Sequence, residues 1–406
     1  MALVHSIERR QLAGFAAVAV VAGELAIMFT GAVLPSPLYP LYQQRFGFSD
    51  VVLTAIYAVY VLGNLIALLI FGRLSDQVGR RSATLPAICV GIISTLVFLF
   101  AKSTAWLFAA RMLSGFATGL ASGTATAWIS ELPASGGKSA TGRIASVANF
   151  VGLAMGPLLA GLLAAFAPWP LHLVFIIYLA VLLGAGATII FSPETVTEPV
   201  HHVRDLSLTP RLGVPSQIRV QFISPAVTAF VVFALIGFYA ALIPNLLVES
   251  LHQKSPSVSG SVVFALFAVA AVCVILTGRL TSRTAMLGAL IVLLPSVWLL
   301  VAAQLAHSML LLLCATALGG LTAALGYRGS LEEANRMAPS DQRSEVVSSY
   351  LVAVYAGNSV PVVGIGLLAA ITSSITAHLS FAAVITLLAC IALAVAIKAP
   401  QSDQTQ

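Results

Sequence analysis

Long apolar runs separated by short polar loops dominate the chain. Runs of about 18 or more such residues are long enough to cross a hydrocarbon core of about 30 Å as helices, and a helix satisfies its own backbone hydrogen bonds there. Reading each run as one helix predicts twelve spans, at 12–36, 51–71, 84–101, 105–128, 144–165, 171–191, 223–247, 259–277, 284–303, 308–327, 347–370 and 376–397. The runs do not alternate polar and apolar positions, as the roughly 10-residue strands of a membrane barrel would. The fold class expected is therefore an all-α membrane protein with twelve transmembrane helices. The longest polar gap, 192–221, contains Pro193, Pro199, Pro210 and Pro215 and reads as a solvated linker. It divides the spans six and six, into an N-terminal bundle at 1–191 and a C-terminal bundle at 222–406. The basic start (Arg9, Arg10) followed by an apolar run that continues to about residue 36 reads as an uncleaved first span.

Composition removes the alternatives. Of 406 residues, 59% are hydrophobic and only 8% charged, against about 25% charged in soluble domains. A water-facing surface cannot be built from so few charges, which excludes soluble enzymes and disordered scaffolds. The net charge of +6 is spread through short loops, not gathered on a patch, so no nucleic-acid partner is expected. With the N-terminus in the cytoplasm, sixteen of the twenty Lys and Arg residues fall inside, Arg45, Lys102 and Lys254 fall outside, and Arg111 falls within a span. This positive-inside bias places both termini in the cytoplasm, and the location expected is the cell's inner membrane, multi-pass. The four cysteines (Cys89, Cys273, Cys314, Cys390) lie inside apolar runs without CxxC spacing, so neither disulfides nor a zinc site is expected.

The halves echo each other. Gly72-Arg73-Leu74 recurs as Gly278-Arg279-Leu280, Pro157 as Pro361, and Gly161-Leu162-Leu163-Ala164 as Gly366-Leu367-Leu368-Ala369, at offsets of 204 to 206 residues. Three echoes at nearly one offset suggest a parallel six-helix repeat, an architecture that places a midplane site between its halves.

The loop after the second span reads Gly72-Arg73-Leu74-Ser75-Asp76-Gln77-Val78-Gly79-Arg80-Arg81. Gly72 and Gly79 allow a tight turn and close helix approach, Asp76 suits a helix N-terminus, and Arg80 and Arg81 hold the loop inside. This loop resembles the one between helices 2 and 3 of the major facilitator superfamily, G-x-L-[AS]-D-[RK]-x-G-[RK]-[RK], departing from it at Gln77. Other landmarks resemble the same family: Arg111 with Gly115 and Gly119 in span 4, and Pro193-Glu194-Thr195 after span 6. Glu131 and Arg143 in the loop after span 4 have counterparts in Glu332, Glu333 and Arg343. Span 5 carries Gly152, Gly156-Pro157 and Gly161, similar to the family's antiporter signature G-x-x-x-G-P-x-x-G-G with Ala160 replacing one glycine. Glycines at this spacing also serve ordinary close packing. The resemblance implies two pseudo-symmetric six-helix bundles that alternate access to a central cavity, most like the twelve-helix drug:proton antiporters. It also implies a cytoplasmic latch between the halves, built on Gly72, Asp76, Gly79, Arg80, Arg81, Glu131, Arg143 and Glu194.

Glu24 and Arg111 are the acid and base that these boundaries place well inside spans. A charge at that depth costs roughly 2.5–3.5 kcal/mol on the insertion scale and calls for a partner or a wet cavity. The resemblance puts helices 1, 4, 7 and 10 on the cavity, and with them both residues. Three roles remain open: proton coupling, with Arg111 setting the proton affinity of Glu24; recognition of a cationic substrate by Glu24; and a static ion pair. Tyr57, Tyr60 and Asn64 share a helical face in span 2. With Asn149, Tyr239, Asn245, Tyr355 and Asn358 they are candidates for the cavity wall, interhelical bonding being the alternative.

Gly136-Gly137-Lys138-Ser139 is not a phosphate-binding loop, because Leu132 stands where its first glycine is required. His201-His202 beside Asp205 reads as solvated loop, not as metal ligands. The expectation is a transporter and not an enzyme. It needs no cofactor or metal, works as a monomer in the lipid bilayer, and exports a small amphipathic or cationic compound in exchange for protons. The alternative is a proton symporter or exporter of a sugar or other small metabolite.

Overall fold

The computed structural model describes residues 12, 14–135, 138–200, 212–339 and 342–398. Arg9, Arg10, Gly136-Gly137, Arg204, Arg211 and the His201-His202 pair with Asp205 lie outside the described residues. Twelve long helices run through the rest: α1 (Phe15–Val33), α2 (Asp50–Phe71), α3 (Arg80–Leu99), α4 (Thr104–Glu131), α5 (Lys138–Phe166), α6 (Leu173–Ile189), α7 (Arg219–Ala241), α8 (Pro256–Leu276), α9 (Ser282–Leu305), α10 (Met309–Met337), α11 (Arg343–Ile371) and α12 (Ser374–Lys398). Ten of the helical segments are long and apolar enough to cross a membrane. Helix α6 is apolar but has only 17 residues. Helix α4 is long but carries Arg111 among many Gly, Ser and Thr residues.

Each helix corresponds to one predicted span, and the differences have local causes. The first span ends at Val33, because Pro35, Pro37 and Pro40 cannot continue its hydrogen bonds; a 3₁₀ turn (Ser36–Leu38) and a short helix (Tyr39–Phe46) follow. The seventh expected span breaks after Ala241 and restarts as a short helix, Ile243–Glu249, with Pro244 in its first turn. Helix α10 runs well past residue 327. Its polar extension is braced by an Arg328–Glu332 pair one turn apart, at 3.0 Å.

Helices α1–α6 pack around Leu25, Met28, Ile88, Trp128 and Phe175, and α7–α12 around Leu235, Phe238, Phe267 and Leu293. The bundles meet along two seams, α5 against α8 and α2 against α11. The sequence repeat maps onto these seams. Gly161 of α5 lies against Pro256 of α8, and its echo Gly366 of α11 lies against Thr54 of α2.

The connector is less free than its composition suggests. Trp128 Nε1 donates to Pro193 O at 2.9 Å, and Val200 N to Gln77 O at 2.7 Å. At the other end Gly213 N donates to Ser349 Oγ at 3.1 Å. Both ends of the expected solvated linker are therefore docked.

Candidate functional site

The bundles enclose a cavity of about 730 Å³. Its inner end lies among Ala32, Val33, Arg111 and Ala240, and its mouth among Arg143, Arg328 and Glu332. The mouth lies on the face that carries the α2–α3 loop, called here the latch face.

The opposite, far face is closed. Ser36 Oγ donates to Ala240 O across the two bundles. Asn245 Nδ2 donates to both Gln43 Oε1, at 3.1 Å, and Asp50 Oδ1, at 2.8 Å. Gln43 Nε2 donates to the same Asp50 oxygen at 2.8 Å, so two residues of the first bundle and one of the second form a closed triangle. Leu38, Tyr39 and Tyr42 fill the space beside it and are buried. The short helices at Tyr39–Phe46 and Ile243–Glu249, which the proline breaks create, carry Gln43 and Asn245 to this position.

Five of the eight residues expected on the cavity wall are there: Tyr57, Tyr60, Asn149, Tyr355 and Asn358. Tyr57 Oη donates to Asn358 Oδ1 at 3.1 Å and so ties α2 to α11. The other three require correction. Asn64 is buried and donates to Tyr60 Oη at 3.3 Å. Tyr239 is buried inside the second bundle, its hydroxyl 3.1 Å from Thr316 Oγ1. Asn245 belongs to the far-face triangle. An apolar helix offers several faces to burial, and polarity alone does not say which one meets the cavity.

Sequence reading missed an aromatic group on the wall. Phe150, from the first bundle, sits 6.4 Å from Phe267 and 6.2 Å from Tyr327 of the second; Phe233 completes the group, 5.7 Å from Tyr327. Only the adjacency of Phe150 to Asn149 hinted at this.

Glu24 and Arg111 do not meet. Arg111, 1% exposed, donates from Nη1 to Ala32 O at 2.6 Å. Its guanidinium carbon lies 4.4 Å from the Tyr60 ring centre and 5.5 Å from that of Tyr57, within cation–π range. Gly115 makes this placement possible: a Cβ there would stand 1.9 Å from Tyr60 O, so α4 can press against α2 only without one. Glu24 is 2% exposed, and neither of its carboxyl oxygens has a hydrogen-bond partner among the described residues. It shares a face of α1 with Met28, which packs at Gly91 of α3. The acid therefore points into the first bundle, while its neighbour Leu25 reaches the cavity wall. The expected ion pair is absent, and so is direct contact of Glu24 with the chamber. Helix α1 lines the cavity through Leu25, Phe29, Ala32 and Val33, a face that does not include Glu24.

The latch residues gather around Arg80. Its guanidinium binds Glu131 through Nε, at 3.0 Å, and Nη2, at 2.5 Å, and donates from Nη1 to Ser75 Oγ at 2.7 Å and to Asp76. The backbone N–H groups of Arg80 and Arg81 donate to Glu194 at 2.7 and 3.0 Å. Glu194 thus caps α3, while Asp76 lies in the first turn of a short helix, Leu74–Val78. Gly79 needs to be glycine: its φ is +103° and a Cβ would stand 2.7 Å from Glu194 Oε2. Gly72 has ordinary helical backbone, with φ −57° and ψ −23°, so no unusual turn is made there. Arg143 lies at the cavity mouth, its Cδ close to Gly278 of the second bundle. In this state the Arg80 cluster is held within the first bundle and the start of the connector; it does not bridge the bundles as a latch would.

In span 5, a Cβ on Gly152 would stand 2.1 Å from Ala26 O, one on Gly156 2.4 Å from Thr30 O, and one on Gly161 2.5 Å from Pro256 O. The glycine–proline pattern therefore packs α5 against α1 on one side and α8 on the other, next to the interior Pro157.

Two six-helix bundles around one chamber, closed on one face and open on the other, define a polytopic membrane carrier. Residues 24–360 match the family model of the Major Facilitator Superfamily, and the chain belongs to that family. It is 30% identical over 134 residues to the sugar transporter ERD6-like 6 of Arabidopsis thaliana, a match covering 33% of this chain and 26% of that protein. It is 30% identical over 171 residues to the multi-drug resistance efflux pump PmrA homolog of Lactococcus lactis subsp. lactis, covering 41% of this chain and 42% of that one. The chain thus spans less than half the length of these curated relatives. The solved structure of the nucleoside transporter NupG superposes with a TM-score of 0.74 at 12% identity, covering 93% of this chain and 99% of that one, a likeness of fold alone.

Proposed function

We propose that this transporter exports a small, mostly apolar amphipathic compound in exchange for protons, alternating between the observed state and one open at the far face. The observation that carries this reading is the chamber itself, walled by Phe150, Phe233, Phe267 and Tyr327 together with many aliphatic side chains. Such a wall suits an apolar body better than a heavily hydroxylated one. The latch face is taken as cytoplasmic, which puts both termini there and makes this the inward-open state. The unit is a monomer in the inner membrane, with bundles at 1–191 and 222–406 joined by the connector at 192–221.

Glu24 is the proton-carrying group in this scheme. Its carboxyl oxygens have no hydrogen-bond partner among the described residues, and taking up a proton removes a charge that such a site must otherwise hold. Arg111 is tied to Ala32, two turns further along the same helix, so movement of α1 alters the surroundings of both. Substrate then competes with the proton through the position of α1, without touching Glu24. The PmrA homolog and the Gly156-Pro157 pattern support export. Accumulation of a fluorescent amphiphile in everted vesicles, driven by an imposed proton gradient, tests the reading; a gradient without effect would defeat it.

The second reading is proton-coupled movement of a sugar or other metabolite. The sugar-transporter relative favours it, as do the amides of Asn149 and Asn358 on the wall. It predicts uptake by whole cells.

A further inference from the structure

Arg111 stands at the inner end of the chamber without a counter-charge. None of its interactions is an ion pair among the described residues: Nη1 takes the Ala32 carbonyl, the face of the group lies over two tyrosine rings, and Nε has no acceptor. Glu24, the acid at comparable depth by sequence, is not on the wall. The remaining charges of the lining are Arg143, Arg328 and Glu332, all toward the mouth, and Glu332 is paired with Arg328. The lining is therefore net positive, and its innermost charge is an uncompensated guanidinium.

A buried cation is costly unless paired. The Tyr57 and Tyr60 rings compensate part of that cost, and a carbonyl takes one donor. A guanidinium still offers planar, parallel donors that suit a carboxylate or sulfonate. Asn149 supplies a neutral amide on the same wall, and the Phe150–Phe267–Tyr327 group supplies aromatic surface.

We propose that the chamber binds an amphipathic organic anion of the aryl-carboxylate class, with its negative group at Arg111 and its ring among Phe150, Phe267 and Tyr327. This names the substrate class of the transport reading above and rests on it. It replaces the cationic compound expected from the sequence, because the carboxyl that would have met a cation faces away from the chamber.

The test uses the full chain in lipid nanodiscs and three ligands with one ring system: 2-naphthoate, 2-naphthamide and 2-naphthylmethylammonium. Calorimetric titration at neutral pH is expected to give naphthoate an affinity at least about tenfold above the amide, with the ammonium weakest. Arg111→Gln is expected to erase the difference between naphthoate and amide. Arg111→Lys, which keeps the charge but loses the fork, is expected to retain part of it. The ranking in the unmodified protein and the lysine variant keep the test decisive if Arg111→Gln fails to fold. The proposal is overturned if the amide or ammonium binds as tightly as naphthoate, if naphthoate does not bind, or if its preference survives in Arg111→Gln. Proton-driven accumulation of the amide in everted vesicles without a preference for naphthoate defeats the anion site and leaves export standing. Charge-ranked binding without proton-driven movement does the reverse.

Discussion

Gly161 of α5 and Gly260 of α8 face each other across the two bundles with no room for a side chain on either. A Cβ on Gly260 would stand 2.3 Å from Pro157 O and one on Gly161 2.5 Å from Pro256 O. Gly260→Ala is expected to disfavour this closed seam by about 1–3 kcal/mol, the usual cost of overpacking. The far face then opens more often and the latch face closes. Maleimide labelling of Ser130→Cys on the cavity wall, in a background without the native cysteines, is expected to slow several-fold. Unchanged labelling would mean that the seam does not set the conformational balance.

The Arg80 cluster gives a ranking. Arg80 is 6% exposed at its side chain, Glu131 35% and Asp76 56%. Glu131→Gln removes the charge behind two hydrogen bonds to a buried guanidinium and is expected to cost about 1–2 kcal/mol. Asp76→Asn is expected to cost less than about 1 kcal/mol, because water screens the exposed carboxylate, while slowing the transport cycle. Thermal unfolding in detergent and turnover in proteoliposomes check the two statements separately. Equal destabilisation by the two variants would contradict the ranking.

The far-face triangle predicts a pH dependence. Glu249 lies beyond α7 in the short helix that carries Asn245. Burial and the neighbouring charge of Asp50 raise its carboxyl above the ordinary 4.5, and a hydrogen bond from Ser374 opposes them. Opening the far face separates and hydrates Asp50 and Glu249, so the closed state holds the proton more tightly. Acidification through the range above 4.5 therefore favours closure, and alkalinisation favours opening. Pulsed-EPR distances between spin labels at Gln44 and Lys254 are expected to show the closed population growing as the pH falls. Glu249→Gln should flatten that response, and a response that persists in this variant would assign it elsewhere.

Glu24→Gln is expected to insert and fold normally, since the amide keeps the shape and removes only an unpartnered charge. Proton-driven accumulation should fall to the background of empty vesicles, while binding of naphthoate changes little. Full proton-driven activity in the variant would remove Glu24 from the coupling scheme.

The helices were legible in the sequence because crossing a bilayer demands a long apolar run, and such runs are hard to mistake. The expected spans ran on to residues 36 and 247, past the prolines after Val33 and Ala241, and that the chain would resume as the short helices holding Gln43 and Asn245 depended on contacts between distant segments. The site was legible in part for the same reason. Tyr57 and Asn358 were both candidates, yet only packing of α2 on α11 makes them partners. Glu24 and Arg111 stood out by charge, and two charges in apolar spans suggest a pair. Their separation follows from the rotation of α1, which the weak polarity of its faces does not encode. The members of the Arg80 cluster were named through one loop, which holds Asp76 and Arg80, and through the family resemblance, which added Glu131 from 51 residues away. The capping role of Glu194 was not anticipated, because it arrives from the connector.

That connector is fastened at each end to the bundle it leaves or enters: Glu194 and Val200 to the first, Gly213 to the second. Each half of the gene consequently encodes its own mooring. Two polypeptides produced separately, one ending just after Val200 and the other beginning just before Leu212, would each keep the fastenings seen among the described residues.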